Sequence, residues 1–206
     1  MTVKKILEFI HFSEKLKDEL RHNWTAKDRQ ESVAEHTWMM SIMAILLAEK
    51  LEANVDISKV MKMVAIHDIA ELGAGDVPAF MEKEKVEQEK IEAQFMKNLK
   101  SKYPELADEI IALWNEYNKL KTNEAKFVKA LDKLEVRLQH NSSKISRWND
   151  IEYPRSQYVA EKYCNYEPVL KEFNELIKKE SRNKILKESN KKLSKVLKDA
   201  KKLKEP

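Results

Sequence analysis

The sequence predicts an all-α fold, with a helical bundle followed by a basic amphipathic helix. Only two glycines and five prolines occur among the 206 residues, so few positions favour turns or chain breaks. Apolar residues recur at intervals of three and four over several long segments, which is typical of helices with one buried face. A chain of this length can bury its own core. We therefore expect one domain over residues 1–179 and a lysine-rich helical tail over residues 180–206.

The N-terminal part of the chain predicts two helices separated by a loop. An apolar stripe indicates a first helix over residues 3–20, and the polar segment over residues 21–31 lacks helical periodicity. Ser32 and Glu35 form a capping box, which predicts that a second helix begins at Ser32. This helix extends to Leu51 and is apolar on nearly every side, so we expect it at the centre of the core.

The third helix, over residues 56–72, carries polar residues within an apolar segment, and Gly73 is expected to end it. Asp76 follows in a turn that can fold its carboxylate back towards the helix end. Further helices are predicted over residues 85–102, 105–120, 124–140, 155–164 and 168–179.

Positive charge is concentrated at the C-terminal end. Residues 178–206 contain twelve basic and four acidic side chains, whereas the other residues contain 27 basic and 31 acidic ones. Apolar residues on one face predict an amphipathic helix that packs on its own domain or on a second copy of the chain. They are Leu186, Leu193, Leu197, Ala200 and Leu203. No aromatic residue lies among the tail lysines to stack on bases, so nucleic-acid binding is disfavoured.

The single cysteine, Cys164, excludes an intrachain disulfide and suits a reducing compartment. No apolar run reaches the length of a membrane span or forms a signal peptide. We therefore expect a soluble, cytoplasmic protein without a membrane partner.

Ionisable residues in the third predicted helix indicate a site. His67 and Glu71 lie one above the other on a helix and Asp68 lies a quarter turn away, so all three can reach one point. Buried charges are costly unless they are paired or bound to a metal, so the segment indicates either a metal site or a buried salt bridge. A second histidine, His36, begins another buried helix and favours the metal site. Asp132 by itself is typical of a solvated residue.

His36, His67, Asp68 and Asp132 occur in the order His…His-Asp…Asp, which resembles that of the HD domain superfamily of metal-dependent phosphohydrolases. Three segments extend the resemblance: Arg-Gln-Glu-Ser-Val-Ala-Glu-His-Thr at 29–37, His-Asp-Ile-Ala-Glu with Gly-Asp-Val-Pro within 67–78, and Glu-Ala-Lys-Phe-Val-Lys-Ala-Leu-Asp at 124–132. They are similar to the branch that contains the 5′-deoxynucleotidases and their eukaryotic HD-domain relatives. The resemblance covers residues 6–173.

The resemblance implies that His36, His67, Asp68 and Asp132 bind one divalent cation. Two imidazoles and two carboxylates suit Mn, Fe, Co, Ni, Zn or Mg, and the ligand types alone do not select among these metals. A bound cation lowers the pKa of its water and neutralises charge on a phosphoryl group.

The resemblance also implies that Glu71 and Asp76 are catalytic, and that Glu71, Asp76 and the backbone of Val77 form a second-metal site. The implied substrate-binding residues are Arg21, Trp24 and Arg29. The bacterial enzyme of this branch has a tryptophan directly after the arginine, whereas here His22 follows Arg21 and the tryptophan is Trp24. The resemblance therefore leaves the choice between deoxyribose and ribose open.

The resemblance therefore implies a metal-dependent phosphatase that hydrolyses (deoxy)ribonucleoside 5′-monophosphates, working as a homodimer. One alternative keeps the fold but changes the substrate to a cyclic nucleotide, an alarmone or a nucleoside triphosphate, because pocket shape decides the substrate. A second alternative is a non-enzymatic nucleic-acid-binding or scaffold protein that uses the basic tail.

Overall fold

The computed structural model describes residues 2–78 and 80–204, without the side chains of Glu82 and Lys85. Over these residues the all-α prediction is confirmed, with one two-stranded sheet added. In chain order the elements are α1 (Val3–Ser13), a 3-10 turn (Glu14–Lys17), β1 (Leu20–Trp24), β2 (Gln30–Ser32), α2 (Val33–Ala48), α3 (Ile57–Ile66), α4 (Glu71–Ala74), α5 (Glu82–Lys102), α6 (Pro104–Lys119), α7 (Asn123–Ser142), a 3-10 turn (Ile145–Arg147), α8 (Glu152–Arg155), α9 (Glu161–Cys164), α10 (Pro168–Glu188) and α11 (Leu193–Lys204).

The central layer is formed by α2, α3 and α7, which pack against one another. The predicted capping box is confirmed, because Ser32 accepts from the backbone N–H of Glu35 and the Glu35 carboxylate accepts from that of Ser32. Met40 and Met43 of α2 are buried in the main core with Phe127 of α7. The opposite side of α2 is apolar but exposed, so this helix is central on one face only.

The predicted loop after the first helix is partly wrong, because β1 and β2 pair there in antiparallel register. The first helix also ends at Ser13 and continues as a 3-10 turn rather than reaching Leu20. Arg21 and Asn23 are buried on one face of β1. Their alternation is that of a strand, but the buried residues are polar because they face a polar cavity rather than the apolar core.

The third predicted helix is also broken. It ends at Ile66 with His67 as its C-cap, and α4 begins only at Glu71. Between them the backbone forms tighter i to i−3 hydrogen bonds, such as that from the Glu71 N–H to the Asp68 carbonyl at 3.0 Å. Gly75, with φ of +72°, ends α4 instead of Gly73. A Cβ at Gly73 would lie 2.6 Å from Cδ2 of Phe95, so glycine there permits close packing on α5.

The C-terminal helices differ from their predicted bounds. α10 passes residue 179 without a break and ends at Glu188, and the helix predicted over 155–164 is replaced by the short α8 and α9. Val196 and Ala200 of α11 are buried, and Val196 joins a cluster with Trp148 and Tyr153. The predicted apolar stripe is therefore only partly covered, because Leu186 and Leu203 are exposed at its ends.

The division into residues 1–179 and 180–206 remains a prediction, and residues 205 and 206 lie outside the described part of the chain. Among the described residues, no helix combines the length and the apolar character that a membrane span requires.

Candidate metal centre and active site

The structure brings the four predicted metal ligands together from three parts of the chain. His36 lies in the first turn of α2, His67 and Asp68 follow α3, and Asp132 lies on α7. Nε2 of His36 is 3.7 Å from Oδ1 of Asp132 and 3.8 Å from Oδ2 of Asp68. Nε2 of His67 is 3.1 Å from the same Asp68 oxygen. These four side chains can therefore surround a single ion.

The hydrogen bonds of the two histidines direct Nε2 of each ring towards that point. Nδ1 of His36 donates to Oε2 of Glu135 at 2.5 Å, and Nδ1 of His67 donates to the Val64 carbonyl at 2.8 Å. Neither Nε2 has a hydrogen-bond partner within residues 2–78 and 80–204. A ring that donates from Nδ1 offers its Nε2 lone pair to a metal, so these residues fit a divalent cation.

The pKa values of the two histidine rings are shifted in opposite directions. Burial lowers the pKa of His36 to about 3, so its imidazole is neutral and ready to bind a metal. For His67, burial opposes the charged form, but the Asp68 carboxylate outweighs it and raises the pKa.

Asp132 is held by groups that the sequence did not indicate as partners. Its Oδ2 accepts from the Tyr117 hydroxyl at 2.9 Å and lies 3.0 Å from Nζ of Lys133 and 3.4 Å from Nζ of Lys129. Burial opposes ionisation, but the two lysines lower the pKa of this carboxyl well below its usual value. Oδ1 is the oxygen that faces His36. The expectation from residue type alone, a solvated aspartate, is therefore wrong.

Arg21 is a further cation beside these ligands. Its Nη1 lies 3.3 Å from Oδ2 of Asp68 and 3.5 Å from Oδ1 of Asp76. Burial opposes the charged form, but Asp76 and Asp68 raise the pKa of Arg21 above its usual value. Glu71 is buried at the start of α4 and lines the same cavity as Arg21 and Asp76.

The residues predicted for a second metal, Glu71, Asp76 and Val77, all line this cavity. Within the described residues, the sets of three side chains with ligand atoms mutually within 4.8 Å are His36–His67–Asp132 and Glu31–His36–Glu135. A second-metal site therefore remains a prediction.

Two predicted substrate-binding residues lie outside the cavity, which has a volume of about 240 Å³. The guanidinium of Arg29 is exposed and donates hydrogen bonds to the carboxylate of Glu35, the residue of the capping box. Arg29 is therefore paired with Glu35 rather than directed into the cavity. Trp24 packs under Arg147, whose guanidinium carbon lies 3.8 Å from the ring centroid. The positions of Trp24 and Arg29 do not support their predicted role, whereas Arg21 lies at the cavity wall.

Comparison with known proteins identifies the family. The sequence model for the HD domain matches residues 13–174. The chain belongs to the HD domain family. Human 5′-deoxynucleotidase HDDC2 is 32% identical over 153 residues, which cover 73% of this chain and 71% of that protein.

Two further relatives support the assignment. The 5′-deoxynucleotidase hdd1 of Schizosaccharomyces pombe is 30% identical over 138 residues, covering 64% of this chain and 68% of that one. A crystal structure described as a "predicted metal-dependent phosphohydrolase" from Magnetospirillum magnetotacticum MS-1 has a TM-score of 0.72 and 29% identity, covering 86% of this chain and 94% of its own. The predicted resemblance to this family is confirmed.

This HD domain also contains buried polar residues that sequence reasoning missed. Glu135 and Glu31 lie behind His36, and burial raises the pKa of both carboxyls to about 8. At the opposite end of the cavity lie His22, Asn23, Arg137, His140 and Glu152. One sequence pattern could have indicated the residues at this end. Asp132, Val136 and His140 are spaced by four residues, which places them on one face of α7.

Proposed function

We propose that the protein is a metal-dependent phosphatase that hydrolyses nucleoside 5′-monophosphates to nucleoside and phosphate. The observation that carries this proposal is the convergence of His36, His67, Asp68 and Asp132 beside Arg21 at one end of an open cavity. The names of relatives at about 30% identity support the substrate class. They also agree with the prediction of a phosphoric monoester hydrolase.

The metal is held in this proposal by His36, His67, Asp68 and Asp132, and its identity among Mn, Fe, Co, Ni, Zn and Mg is left to experiment. When bound, a divalent cation supplies charge neutralisation of the phosphoryl group and lowers the pKa of a coordinated water. Glu135 holds the ring of His36 in the orientation that this role requires.

The protein residues around this centre perform the remaining steps. Arg21 donates to the phosphoryl oxygens, since its guanidinium is buried and already lies beside the ligand Asp68. Glu71 accepts a proton from the attacking water as the water oxygen bonds to phosphorus. The bond from phosphorus to the 5′ oxygen breaks, and the 5′ oxygen takes up this proton, so that nucleoside and phosphate are released. Asp76 shares the Arg21 guanidinium and keeps it at the cavity wall.

We also propose that the protein is a homodimer in the cytoplasm. Trp38 and Leu46 on α2 are each more than 60% exposed, and Ile45 lies between them on the same helix. No charged residue occurs between Thr37 and Ala48, so two copies can join these faces without burying a charge. Ile45→Glu should convert a dimer into a monomer in sedimentation measurements, and a wild-type monomer at micromolar concentration would contradict the proposal.

The test is release of phosphate from a panel of ribo- and deoxyribonucleoside 5′-monophosphates, with each candidate metal and with chelator. We expect release with at least one metal and none with chelator. Cyclic nucleotides, nucleoside triphosphates and a guanosine tetraphosphate form the comparison panel. Turnover confined to that second panel would overturn the assigned substrate class, and no turnover with nucleic-acid binding through the tail would overturn the enzyme assignment.

A further inference from the structure

The cavity continues from the metal centre along two neighbouring elements. On α7, Asp132, Val136 and His140 follow one another at one-turn intervals, which places His140 roughly 12 Å along the helix axis from the metal ligand. On β1, Arg21 and Asn23 are buried on the same face, roughly 7 Å apart. The two elements run side by side, since Nε2 of Gln139 donates to the Trp24 carbonyl at 2.7 Å.

Two hydrogen-bond donors are buried without partners at the far end of this cavity. Nε of Arg137 and Nδ2 of Asn23 have no hydrogen-bond partner among the described residues, although both side chains line the cavity. Arg137 is 4% exposed and Asn23 is 5% exposed. Donors buried without partners destabilise a fold, so their presence beside an open cavity indicates a ligand that accepts hydrogen bonds.

Glu152, a carboxylate that lines this end, is engaged by other donors. Glu152 accepts from Nε2 of His140 at 2.6 Å and from the backbone N–H of Asn149 at 2.6 Å, and it lies 3.1 Å from Nε2 of His22. Burial lowers the pKa of Arg137 to about 10, so this guanidinium is still charged near neutral pH. The wall therefore presents donors to a ligand rather than acceptors.

The lining at this end also includes Arg155 and several apolar or aromatic side chains. Val136 and Val159 contribute aliphatic surface, and Phe80 lies edge-to-face on His22 with ring centroids 5.4 Å apart. A flat heteroaromatic ring with acceptors at its edge satisfies both the apolar surface and the two donors.

We infer that Asn23 and Arg137 recognise the nucleobase and favour purines that carry a 6-oxo group. This inference rests on the proposed function, which places the phosphate at the metal and the base at the far end of the cavity. Guanine and hypoxanthine present two adjacent acceptors, O6 and N7, which match an arginine. Adenine presents a donor at N6 instead, and that amino group would face the donors of Arg137.

The first test compares wild-type protein on four purine substrates: the 2′-deoxynucleoside monophosphates of guanine, hypoxanthine, adenine and 2-aminopurine. We expect kcat/KM to be about tenfold or more higher for the two 6-oxo bases, mostly through KM. Because 2-aminopurine lacks the 6-oxo group but keeps the 2-amino group of guanine, it should behave like adenine. Equal kcat/KM for all four would overturn the inference.

The second test uses Arg137→Met, which removes the donors at similar side-chain volume, with Arg182→Met on α10 as the matched control. Arg182 lies outside the cavity lining and donates to Gln157. We expect Arg137→Met to lower the ratio of kcat/KM for the 6-oxo substrates to kcat/KM for the adenine substrate about tenfold. A folded Arg137→Met protein that keeps the preference would overturn the inference. If Arg137→Met does not fold, Asn23→Leu is measured on the same substrates instead, and the wild-type panel still tests the preference for 6-oxo bases.

Binding of nucleosides without phosphate separates this inference from the proposed function. Calorimetry should show tighter binding of deoxyguanosine than of deoxyadenosine to the wild-type protein, whether or not phosphate is released from any nucleotide. Absence of phosphate release together with this preference would overturn the proposed function alone. Phosphate release without any preference between the two nucleosides would overturn the inference alone.

Discussion

The two ends of the cavity differ in the kind of polar atom that is left without a partner. At the metal end, the unpartnered atoms within the described residues include the donor Nε of Arg21, and also Nε2 of His36 and Nε2 of His67, which offer lone pairs. At the far end, they are Nε of Arg137 and Nδ2 of Asn23, which offer hydrogens. Lone pairs suit a cation, and N–H groups suit the acceptors of an organic ligand. Substitutions at the two ends should therefore produce different kinds of loss.

The largest effect is expected from His67→Ala, because it removes a ligand from the metal end. Turnover should fall roughly 10³-fold or more for every substrate, since charge stabilisation by the metal contributes several kcal/mol. Metal content measured by elemental analysis should fall in parallel. Asp28→Asn changes a carboxylate that pairs with Lys144 and Arg147 outside the cavity, and it serves as the control. A loss of turnover restricted to substrates with one base would contradict the assignment of His67 to the metal end of the cavity.

Glu71→Ala should lower turnover about 10²-fold or more while the metal is retained, because Glu71 is proposed to accept the proton of the attacking water. Metal content, melting temperature and turnover are measured on one preparation. A structural role for Glu71 would instead lower the melting temperature and leave turnover per folded molecule near normal. Recovery of turnover with excess Mg²⁺ or Mn²⁺ would assign Glu71 to a second metal.

Glu135→Gln tests the residue behind the metal ligand. Because Glu135 accepts from Nδ1 of His36, the variant should weaken metal affinity about 10- to 100-fold without changing the relative turnover of different bases. Titration with the activating metal measures the affinity. Glu172→Gln, an exposed change on α10, is the matched control. Unchanged metal affinity in a folded Glu135→Gln protein would contradict the positioning role.

The smallest effect is expected from removal of residues 190–206, which contain α11. This helix packs on α8, which carries Glu152 and Arg155 at the far end of the cavity. Exposure of the Val196 contacts should lower the melting temperature by several degrees and raise KM, with metal affinity unchanged. Val196→Ala should have the same effects on a smaller scale. An unchanged melting temperature and KM would make the tail a free appendage.

The sequence predicted one end of the cavity far better than the other. The proposed metal ligands His36, His67, Asp68 and Asp132 lie within short segments whose residue order resembles that of the family, so the sequence could suggest them. Arg137 and Glu152 could not be predicted as cavity residues. In the sequence, a buried charged residue on a helix with polar and apolar positions has the same pattern as a solvated one. The resemblance implied that Trp24 and Arg29 bind the substrate, whereas in the structure Trp24 packs against Arg147 and Arg29 pairs with Glu35.

By itself, the sequence determined the features that depend on residues close together in the chain. These are the helical periodicity, the capping box of Ser32 and Glu35, and the order of the metal ligands. Tertiary structure decided the break between α3 and α4, the polar strand β1 and the burial of Arg137. The physical reason is that burial and pairing depend on elements distant in the chain, such as α7 beside β1, and local patterns carry no information about which element will cover a side chain.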